Sequence, residues 1–373
     1  MLSKRTSSAG ARPADPSRLE TVATIRDVAR EAGVSVATVS RVLNDKGVVS
    51  PDTHRLVREA ASRLNYSPNA AARSLITQET HTVGVLLPDL HGEFFSEVIR
   101  GIDLAARRAG RHLLVSSSHS ASADLVSAMR SMRGRIDGLI VMAPETDASP
   151  AIRECAGSVP IVLLNPGEVP GDCSAISVAN FEGARAVVRH LLGLGHTRIA
   201  TITGPAHNHD ARQRLAGYRA ALAEAGIEPD ARLEIAGDFL EPSGYEAADA
   251  LLADTPRPTA VFAANDKMAI GVMGAMSDRG VRVPEDLAVA GFDDIETARY
   301  INPPLTTVHV DSFRLGECAV EALLGSARNA GATGHIMLPA TLVVRRSCGA
   351  AHHDNENGRA HRDSGMDLRP AAR

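Results

Sequence analysis

A twice-repeated alternation of apolar runs with helical stretches does most to limit what this chain can fold into. From Thr82 onward, runs such as TVGVLLP and DGLIVM alternate with amphipathic stretches such as FFSEVIRGIDLAARRAG. The pattern starts again after AISVANFEG with TRIATITG, TAVFAAND and LAVAGFDD. Such alternation is typical of βα units in a parallel sheet. The order predicts an α/β core of two doubly wound parallel sheets in series, with a cleft between the two lobes.

The 373 residues are too many for one ordinary core, so we expect several packed units. We predict a disordered leader at 1–22, an all-α headpiece at 23–66, a short helix with a linker at 67–80, the two-lobed core at 81–347, and a disordered tail at 348–373. The first lobe is predicted at about 81–178 with 308–328, and the second at about 179–307 with 335–347. Strand ends that face the cleft are the place to seek a ligand site.

Charge is distributed unevenly along the chain. Residues 1–78 contain twelve Lys or Arg against seven Asp or Glu, although the whole chain has a formal charge of −4. A basic end on an acidic body indicates a polyanion partner for the first domain, although a solvated helical surface gives the same count. We see neither a secretory signal nor an apolar run of roughly 20 residues, so we expect a cytoplasmic protein without a membrane partner.

The segment TIRDVAREAGVSVATVSRVLND predicts a helix-turn-helix. Thr24 is a suitable N-cap, Gly33 a suitable end for the first helix, and Ser35 a cap for the second. In this motif the start of the second helix enters the major groove. Any helical hairpin can carry small residues on one face, so the segment alone is compatible with a DNA-binding motif and with an ordinary pair of packed helices.

We predict that the second helix binds DNA through two sets of side chains. Base edges are assigned to Val36, Ala37 and Arg41, because apolar groups contact thymine methyls and arginine makes paired hydrogen bonds to guanine. Phosphates are assigned to Thr38, Ser40 and Asn44. A third helix capped by Ser50 follows, and its predicted buried residues are Leu56, Val57, Ala60 and Leu64.

The stretch NAAARSLIT is too short to be a stable isolated helix, so we expect it to fold only on DNA. Alanines such as Ala72 permit close approach of the backbone, and Leu75 is placed to act as a wedge in the minor groove. A plain core contact for Leu75 stays open.

The sequences TIRDVAREAGVSVATVSRVLN and NYSPNAAARSL resemble the start of the lactose-repressor/galactose-repressor (LacI/GalR) family. Family-like phrases continue through GLGHTRIATITGP, PTAVFAANDKMAIG and RVPEDLAVAGFDDIETARYINPPLTTV to LVVRRS, from about residue 24 to 347. The resemblance implies a transcriptional regulator with a helix-turn-helix headpiece, a hinge helix, and a core like periplasmic sugar-binding proteins. It implies a homodimer on a palindromic operator; the tail lacks the leucine heptads of the four-subunit members.

The resemblance also implies an effector site in the cleft. Arg212, Asn265 and Asp293 fall on effector-binding positions, and Phe239 falls on an aromatic wall position; Phe94 and Phe95 suggest a second wall. These donors, acceptors and ring faces suit a polyol. Aromatic residues are only 3% of the chain, so three phenylalanines at one predicted cleft favour the wall role, although a core position is the alternative for each of them. Asp210 is a further candidate that is also placed to cap a helix, and the same alternative applies to Asp266.

We expect the effector to be a sugar or sugar phosphate. The purine-responsive branch of the family, which this chain resembles in GDFLEPSGY and ARY, has an arginine where Asn208 stands. A purine, a nucleoside or a protein co-regulator are the alternatives. The sequence does not decide whether the effector weakens or tightens operator binding, whether the regulator represses or activates, which genes it controls, or which operator it reads.

Other classes of protein fit less well. The phosphate-binding and nucleophile-elbow motifs GxGxxG, GxxxxGK[ST] and GxSxG are missing after the strands, so we expect neither an enzyme nor a cofactor. A sugar-binding protein of the solute-binding type would need an export signal. Scattered cysteines and the tail histidines His352, His353 and His361 do not argue for a metal site. We expect a protein associated with the nucleoid.

Overall fold

The computed structural model describes residues 23–44, 49–66, 79–118, 122–144, 152, 159–169, 173–328 and 334–350. Its internal contacts divide the chain into two compact units, Met1–Thr80 and His81–Arg373. The predicted leader at 1–22, the tail beyond residue 350, and the DNA-binding candidates Ala72 and Leu75 lie outside the described residues. None of the described helices combines the length and the apolar character needed to cross a bilayer.

The first unit contains three helices, α1 (Ile25–Ala32), α2 (Val36–Leu43) and α3 (Pro51–Arg63). Their apolar faces meet in one small core, formed by Val28, Ala29, Val39, Val42, Val57, Ala60 and Ala61. Leu56, which periodicity predicts to be buried, is 41% exposed, and Ala61 takes the inner position. The inner face of α3 is therefore rotated by part of a turn from the predicted one.

Local signals place the ends of these helices. Gly33 ends α1 with φ 67°, a left-handed conformation that a glycine adopts without steric cost. The Ser35 hydroxyl accepts a hydrogen bond from the amide of Thr38, and Ser50 does the same for Thr53. At the start of α1, the backbone N–H of Thr24 donates to the Asp27 carboxylate at 3.0 Å. These hydrogen bonds satisfy amides that a helix start leaves without partners.

The first lobe of the core is a parallel six-stranded sheet in the order β11-β5-β4-β3-β1-β2. Its strands are β1 (Thr82–Leu87), β2 (His112–Ser117), β3 (Gly138–Met142), β4 (Ile161–Leu164), β5 (Ser174–Val178) and β11 (His335–Leu338). Helices α4 (Glu93–Arg108), α5 (Ser122–Met132) and α10 (Ser312–Arg328) belong to the same lobe. The continuous burial of β1, β3 and β4 is expected for strands covered on both faces.

The second lobe is a parallel four-stranded sheet in the order β7-β6-β8-β9. Its strands are β6 (Ile199–Thr203), β7 (Glu234–Ala236), β8 (Ala260–Ala263) and β9 (Ala288–Ala290). Its helices are α6 (Asn180–Gly193), α7 (His209–Glu224), α8 (Glu241–Ala253) and α9 (Asp266–Asp278). Alternate residues of β8 enter different cores, since Phe262 packs with α6 and α7 whereas Val261 packs with α8 and α9. The expected pair of doubly wound sheets is confirmed.

The structure corrects the predicted lobe boundaries. Strand β11 (His335–Leu338) pairs in parallel with β5, so it belongs to the first lobe and not to the second. Strand β10 (Thr307–Val310) pairs antiparallel with β12 (Ala340–Val343), and the chain enters the first lobe only after residue 310. Both errors concern short strands whose partners are distant in sequence, which an apolar pattern does not reveal.

The predicted tail also begins too early. Cys348 is 1% exposed and packs in the core, and the Ser347 hydroxyl donates to the carbonyl of Val289 at 2.7 Å. Ser347 Oγ in turn accepts from the amide of Thr306 at 2.8 Å. Residues 346–348 form a short 3₁₀ helix tied to β9, so the folded core extends past residue 347.

Candidate functional site

Helix α2 presents one exposed face. Its buried residues are Val39 and Val42, which lie on the headpiece core. Val36 is 42% exposed, and Ala37 and Arg41 are exposed as well. Within the part of the chain that the structure describes, Arg41 forms no ion pair. An arginine held in solvent beside small side chains is free to reach a base edge.

The three residues assigned to phosphates lie on or beside the same helix. The hydroxyl of Thr38 is 2.8 Å from that of Ser35, so it takes part in the helix cap. Asn44 donates from Nδ2 to the Ser40 carbonyl at 2.8 Å. Thr38 and Asn44 therefore have structural roles in the free headpiece. Since phosphate oxygens accept hydrogen bonds, Asn44 can donate its second Nδ2 hydrogen, and Thr38 can donate after its hydroxyl rotates.

The core contains a cleft of about 430 Å³ between its lobes, a volume in the usual range for a small-molecule site. Both lobes contribute residues that follow strands. Six of the seven predicted effector residues line the cleft: Phe94, Phe95, Asp210, Phe239, Asn265 and Asp293. The structure thus brings together residues separated by up to about two hundred positions in the sequence.

Arg212 is the exception, and the structure corrects its assignment. Its Nη1 donates to the carbonyls of Ala206 and His207, at 3.3 and 2.8 Å, and its side chain is not part of the cleft wall. Arg214, two residues further along α7, lines the cleft instead. Two helical residues at that spacing point in nearly opposite directions, so the rotation of α7 decides which arginine enters.

Arg214 is held from several sides, and its side chain is 7% exposed. Nε donates to Asn180 Oδ1 at 2.8 Å, Nη1 donates to the carbonyl of Ala264 at 2.6 Å, and Nη2 lies 3.0 Å from Asp293 Oδ1. The guanidinium lies 3.9 Å from the centroid of the Phe292 ring. A cation on an aromatic face is stabilised by the ring quadrupole. The side chain is therefore pre-organised before any ligand arrives.

Asp293 occupies a strained position. Its φ is 108° and that of Asp294 is 55°, conformations that residues other than glycine rarely adopt. Burial raises the pKa of Asp293 to about 6, and the nearby Arg214 partly opposes this rise. Burial acts to raise the pKa of Asp294, but the contacts of its carboxylate with His309 and Arg345 outweigh burial and hold the pKa below its ordinary value; Arg345 Nη2 lies 2.5 Å from Oδ1. The Asp294 contacts hold the turn that presents Asp293 to the cleft.

Asp210 is not the cap of α7, since Asn208 accepts the capping hydrogen bond from Ala211. The Asp210 carboxylate accepts from Asn165 Nδ2 at 2.9 Å and from Asn180 Nδ2 at 3.0 Å. Asn165 follows β4 in the first lobe, so this hydrogen bond crosses between the lobes. A buried polar network therefore runs from the first lobe through Asp210 and Asn180 to Arg214.

Phe239 and Asn265 are positioned together. The Phe239 ring covers Gly204 so closely that a Cβ there would lie 2.2 Å from the ring. Asn265 caps α9 by accepting from the Met268 amide, and its Nδ2 donates to the carbonyl of Phe239 at 2.9 Å. Asp266, the alternative cap, is instead buried, with Oδ1 accepting from the Thr307 hydroxyl at 2.5 Å. Burial raises the pKa of Asp266 well above its ordinary value.

Several cleft residues were absent from the sequence prediction. The polar and charged ones are Asp89, His91, Glu93, His207, Asn208, Arg214, Asp238 and Lys267. A signal for Arg214 was present, because it falls in register with the buried Gly217, Tyr218 and Ala221 of α7, whereas Arg212 does not. Among the described residues, we find no group of three His, Cys, Asp or Glu side chains that could hold a metal ion.

A three-helix DNA-reading unit joined in one chain to a two-lobed core with a polar, aromatic-walled cleft defines the class of ligand-responsive transcription regulators. Two family models match the chain. The bacterial regulatory proteins of the lacI family match residues 24–69, and a periplasmic binding protein-like domain matches residues 188–348.

Similar proteins cover most of the chain. The ribose operon repressor of Escherichia coli strain K12 is 39% identical over 305 residues, which are 81% of this chain and 92% of the relative. The HTH-type transcriptional repressor PurR of Erwinia tasmaniensis is 39% identical over 333 residues, 87% of this chain and 97% of the relative.

Among solved structures, a lac repressor dimer bound to operator and the anti-inducer ONPF is similar with a TM-score of 0.80. It is 34% identical and covers 88% of this chain and 99% of its own. The chain belongs to the LacI family of bacterial DNA-binding transcriptional regulators. The relatives named here are transcriptional repressors.

Proposed function

We propose that this chain represses genes for the uptake or breakdown of a sugar. In this proposal a homodimer binds a palindromic operator through two headpieces, and a sugar in the cleft changes the affinity for that operator. The observation that carries the proposal is the cleft, whose lining combines three phenylalanines with Arg214, Asn265 and Asp293. A protein that acts on chromosomal DNA would work in the cytoplasm, at the nucleoid.

The chemistry of the cleft suits a polyhydroxylated ring. Asp293 Oδ1 is buried and lacks a hydrogen bond of good geometry within the described structure, although Arg214 Nη2 lies 3.0 Å away. A carboxylate in that state is suited to accept a sugar hydroxyl. Phe94 and Phe95 form an edge-to-face pair with centroids 5.4 Å apart, and such rings pack on the C–H faces of a sugar. The similarity to a ribose operon repressor favours a pentose.

For the headpiece, we assign base reading to Val36, Ala37 and Arg41 because the free structure leaves these side chains exposed on one helix face. Ser40, Thr38 and Asn44 are assigned to phosphates. Family resemblance supports Leu75 as a wedge at the centre of the operator and Ala72 as a site of close backbone approach.

Coupling between effector and operator requires two states of the core with different affinities for each. Side chains already bridge the lobes at the cleft. The Glu93 carboxylate, at the start of α4, accepts hydrogen bonds from the amide and hydroxyl of Thr297 in the second lobe; the amide lies at 3.1 Å. Asn165 and Asp210 make a second bridge. A ligand that contacts both lobes would stabilise the arrangement in which these bridges are formed.

A purine effector is the second candidate, because the similarity to a purine repressor is as high as that to the ribose repressor. Asn208 lines the cleft, where its uncharged side chain accepts from the Ala211 amide at 3.1 Å. The resemblance implies an arginine at this position in the purine branch, and the lack of that charge in the cleft wall favours the sugar.

The test is fluorescence anisotropy of full-length protein on labelled DNA from upstream of its own gene, at fixed salt. D-ribose, other sugars, sugar phosphates, hypoxanthine and guanine are then titrated. Specific binding that changes with a sugar supports the proposal. Response to a purine alone would replace it with the second candidate, response to none of the panel would favour a protein co-regulator, and absence of specific binding would overturn it.

A further inference from the structure

We propose that the cleft selects an uncharged sugar and rejects the phosphorylated form of the same sugar. This inference rests on the proposed function and specifies its ligand class. It follows from the charges around the cleft and from the partners that those charges already have. Phosphate monoesters carry between one and two negative charges near neutral pH, so a site for one needs cationic groups that are not already compensated.

The cations of the cleft are already paired. Arg214 has a protein partner on each of its nitrogens, and the charge of Asp293 lies 3.0 Å from Nη2. Two of its five N–H groups are left for a ligand, which suits hydroxyl oxygens better than a dianion. Lys267 Nζ lies 3.2 Å from Glu241 Oε2. Neither cation is therefore available to a phosphate without loss of an existing ion pair.

Helix starts are the second source of positive potential for an anion. Helices α4, α7, α8 and α9 begin at the cleft, since their N-caps line it: Gly92, Asn208, Leu240 and Asn265. Each of these helices carries a carboxyl group in its first turn: Glu93, Asp210, Glu241 and Asp266 respectively. The protein's own acids thus occupy the favourable end of each helix dipole.

The rim adds negative charge. Asp89 Oδ1 accepts from the amides of Leu90 and His91, and Asp238 Oδ1 accepts from the amide of Leu240. In the described part of the chain, no cation pairs with the carboxylates of Asp89, Glu93 or Asp238. Since like charges repel over about 8–10 Å at moderate salt, these three groups disfavour an entering phosphate. A cleft of this charge binds the free sugar in preference to the sugar that carries a phosphoryl group.

The experiment uses full-length protein and two probes, D-ribose and D-ribose 5-phosphate, with isothermal titration for affinity and operator anisotropy for response. We expect the phosphate to bind at least about 100-fold more weakly than the sugar. Uncharged 5-O-methyl-ribose separates size from charge, and it should bind within about tenfold of ribose. Tighter binding of the phosphate would overturn this inference and leave the sugar-repressor proposal standing. If neither probe binds, both this inference and the sugar-repressor proposal are overturned for ribose.

Charge-neutral variants test the cause. Glu241→Gln, which does not line the cleft, removes the partner of Lys267 and should strengthen binding of the phosphate about tenfold while ribose changes less than twofold. The double variant Asp89→Asn/Asp238→Asn should lower the discrimination between the probes by about tenfold. Asp249→Asn, an exposed acid on α8, is the matched control and should leave the discrimination unchanged. Full discrimination retained both in Glu241→Gln and in the Asp89→Asn/Asp238→Asn double variant would show that charge is not its cause.

Discussion

The two arginines at the centre of the two proposed sites are held in opposite ways. Arg41 stands exposed on α2 without an ion pair among the described residues, whereas Arg214 is buried, with three nitrogens engaged. DNA is a large polyanion that binds to an exposed protein surface, so the arginine that contacts it can stay solvated in the free protein. A small ligand must be surrounded, and the groups that surround it have to be fixed in advance because each is buried. We therefore expect substitutions in the cleft to impair effector binding without impairing operator binding, and substitutions in the headpiece to do the reverse.

The largest effect is expected for Arg214→Ala. It leaves Asp293 and Asn180 without their buried partner, and breaking a buried pair typically costs about 3–5 kcal/mol. We expect effector affinity to fall by more than about 100-fold while operator binding by the headpiece persists. Isothermal titration and operator anisotropy measure the two functions. Arg212→Ala is the matched control; an equal loss in this variant would contradict the placement of Arg214 and not Arg212 in the cleft.

Arg41→Ala is expected to have the next largest effect, and in the other region. Loss of a paired hydrogen bond to guanine costs about 1–3 kcal/mol of discrimination, so specific operator affinity should fall about 5- to 150-fold. Binding to random DNA and effector affinity should change little. Anisotropy with operator and scrambled duplexes gives the ratio, with Arg55→Ala on α3 as the control. An equal loss on both duplexes would remove Arg41 from the base-reading set.

Acid should affect the cleft before the headpiece. The pKa of Asp293 is raised to about 6 by burial, so its carboxylate gains a proton as the pH falls through that value. If ligand binding needs the ionised form, effector affinity should be constant above about pH 7 and fall up to tenfold per unit below about pH 6. In the headpiece, the hydrogen bond from Thr24 lowers the pKa of Asp27, so that carboxylate stays ionised over this range. Its contribution to stability is present above its unfolded value of 3.8 and is lost only as the pH falls through the lower folded value.

Titration calorimetry between pH 5 and pH 8 measures this difference. Asp293→Asn should flatten the dependence of effector affinity on pH, even though it binds the effector more weakly. His91 and His207 also line the cleft, so His91→Gln/His207→Gln is the necessary control and should keep the transition. A transition that disappears only in the histidine variant would assign it to the imidazoles.

The smallest effect is expected from the helix cap. Ser35→Ala removes the acceptor for the Thr38 amide, and such caps contribute about 1 kcal/mol. Local stability of the headpiece should fall by about that amount, measured as faster hydrogen exchange at the amides of Val39 and Val42 in the full-length protein. Effector affinity should not change. Ser62→Ala, on the exposed side of α3, is the control, and a similar acceleration there would mean that the cap itself is not responsible.

The sequence determined those features whose cause is local. Gly33, Ser35 and Ser50 mark helix ends because capping depends on residues within about one turn. The βα alternation predicts two parallel sheets because each strand and helix buries its own apolar face. The family resemblance implied effector positions for Asn265 and Asp293, and both residues follow strands, where parallel sheets place ligands.

The tertiary structure alone decided how these elements are rotated and paired. Whether Arg212 or Arg214 enters the cleft depends on the rotation of α7 against α6, although the burial of Tyr218 and Ala221 in register with Arg214 was a readable signal. The pairing of β11 with β5 and the bridge from Asn165 to Asp210 join residues far apart in the chain. Such contacts depend on the sum of many packing interactions, and no local pattern records that sum.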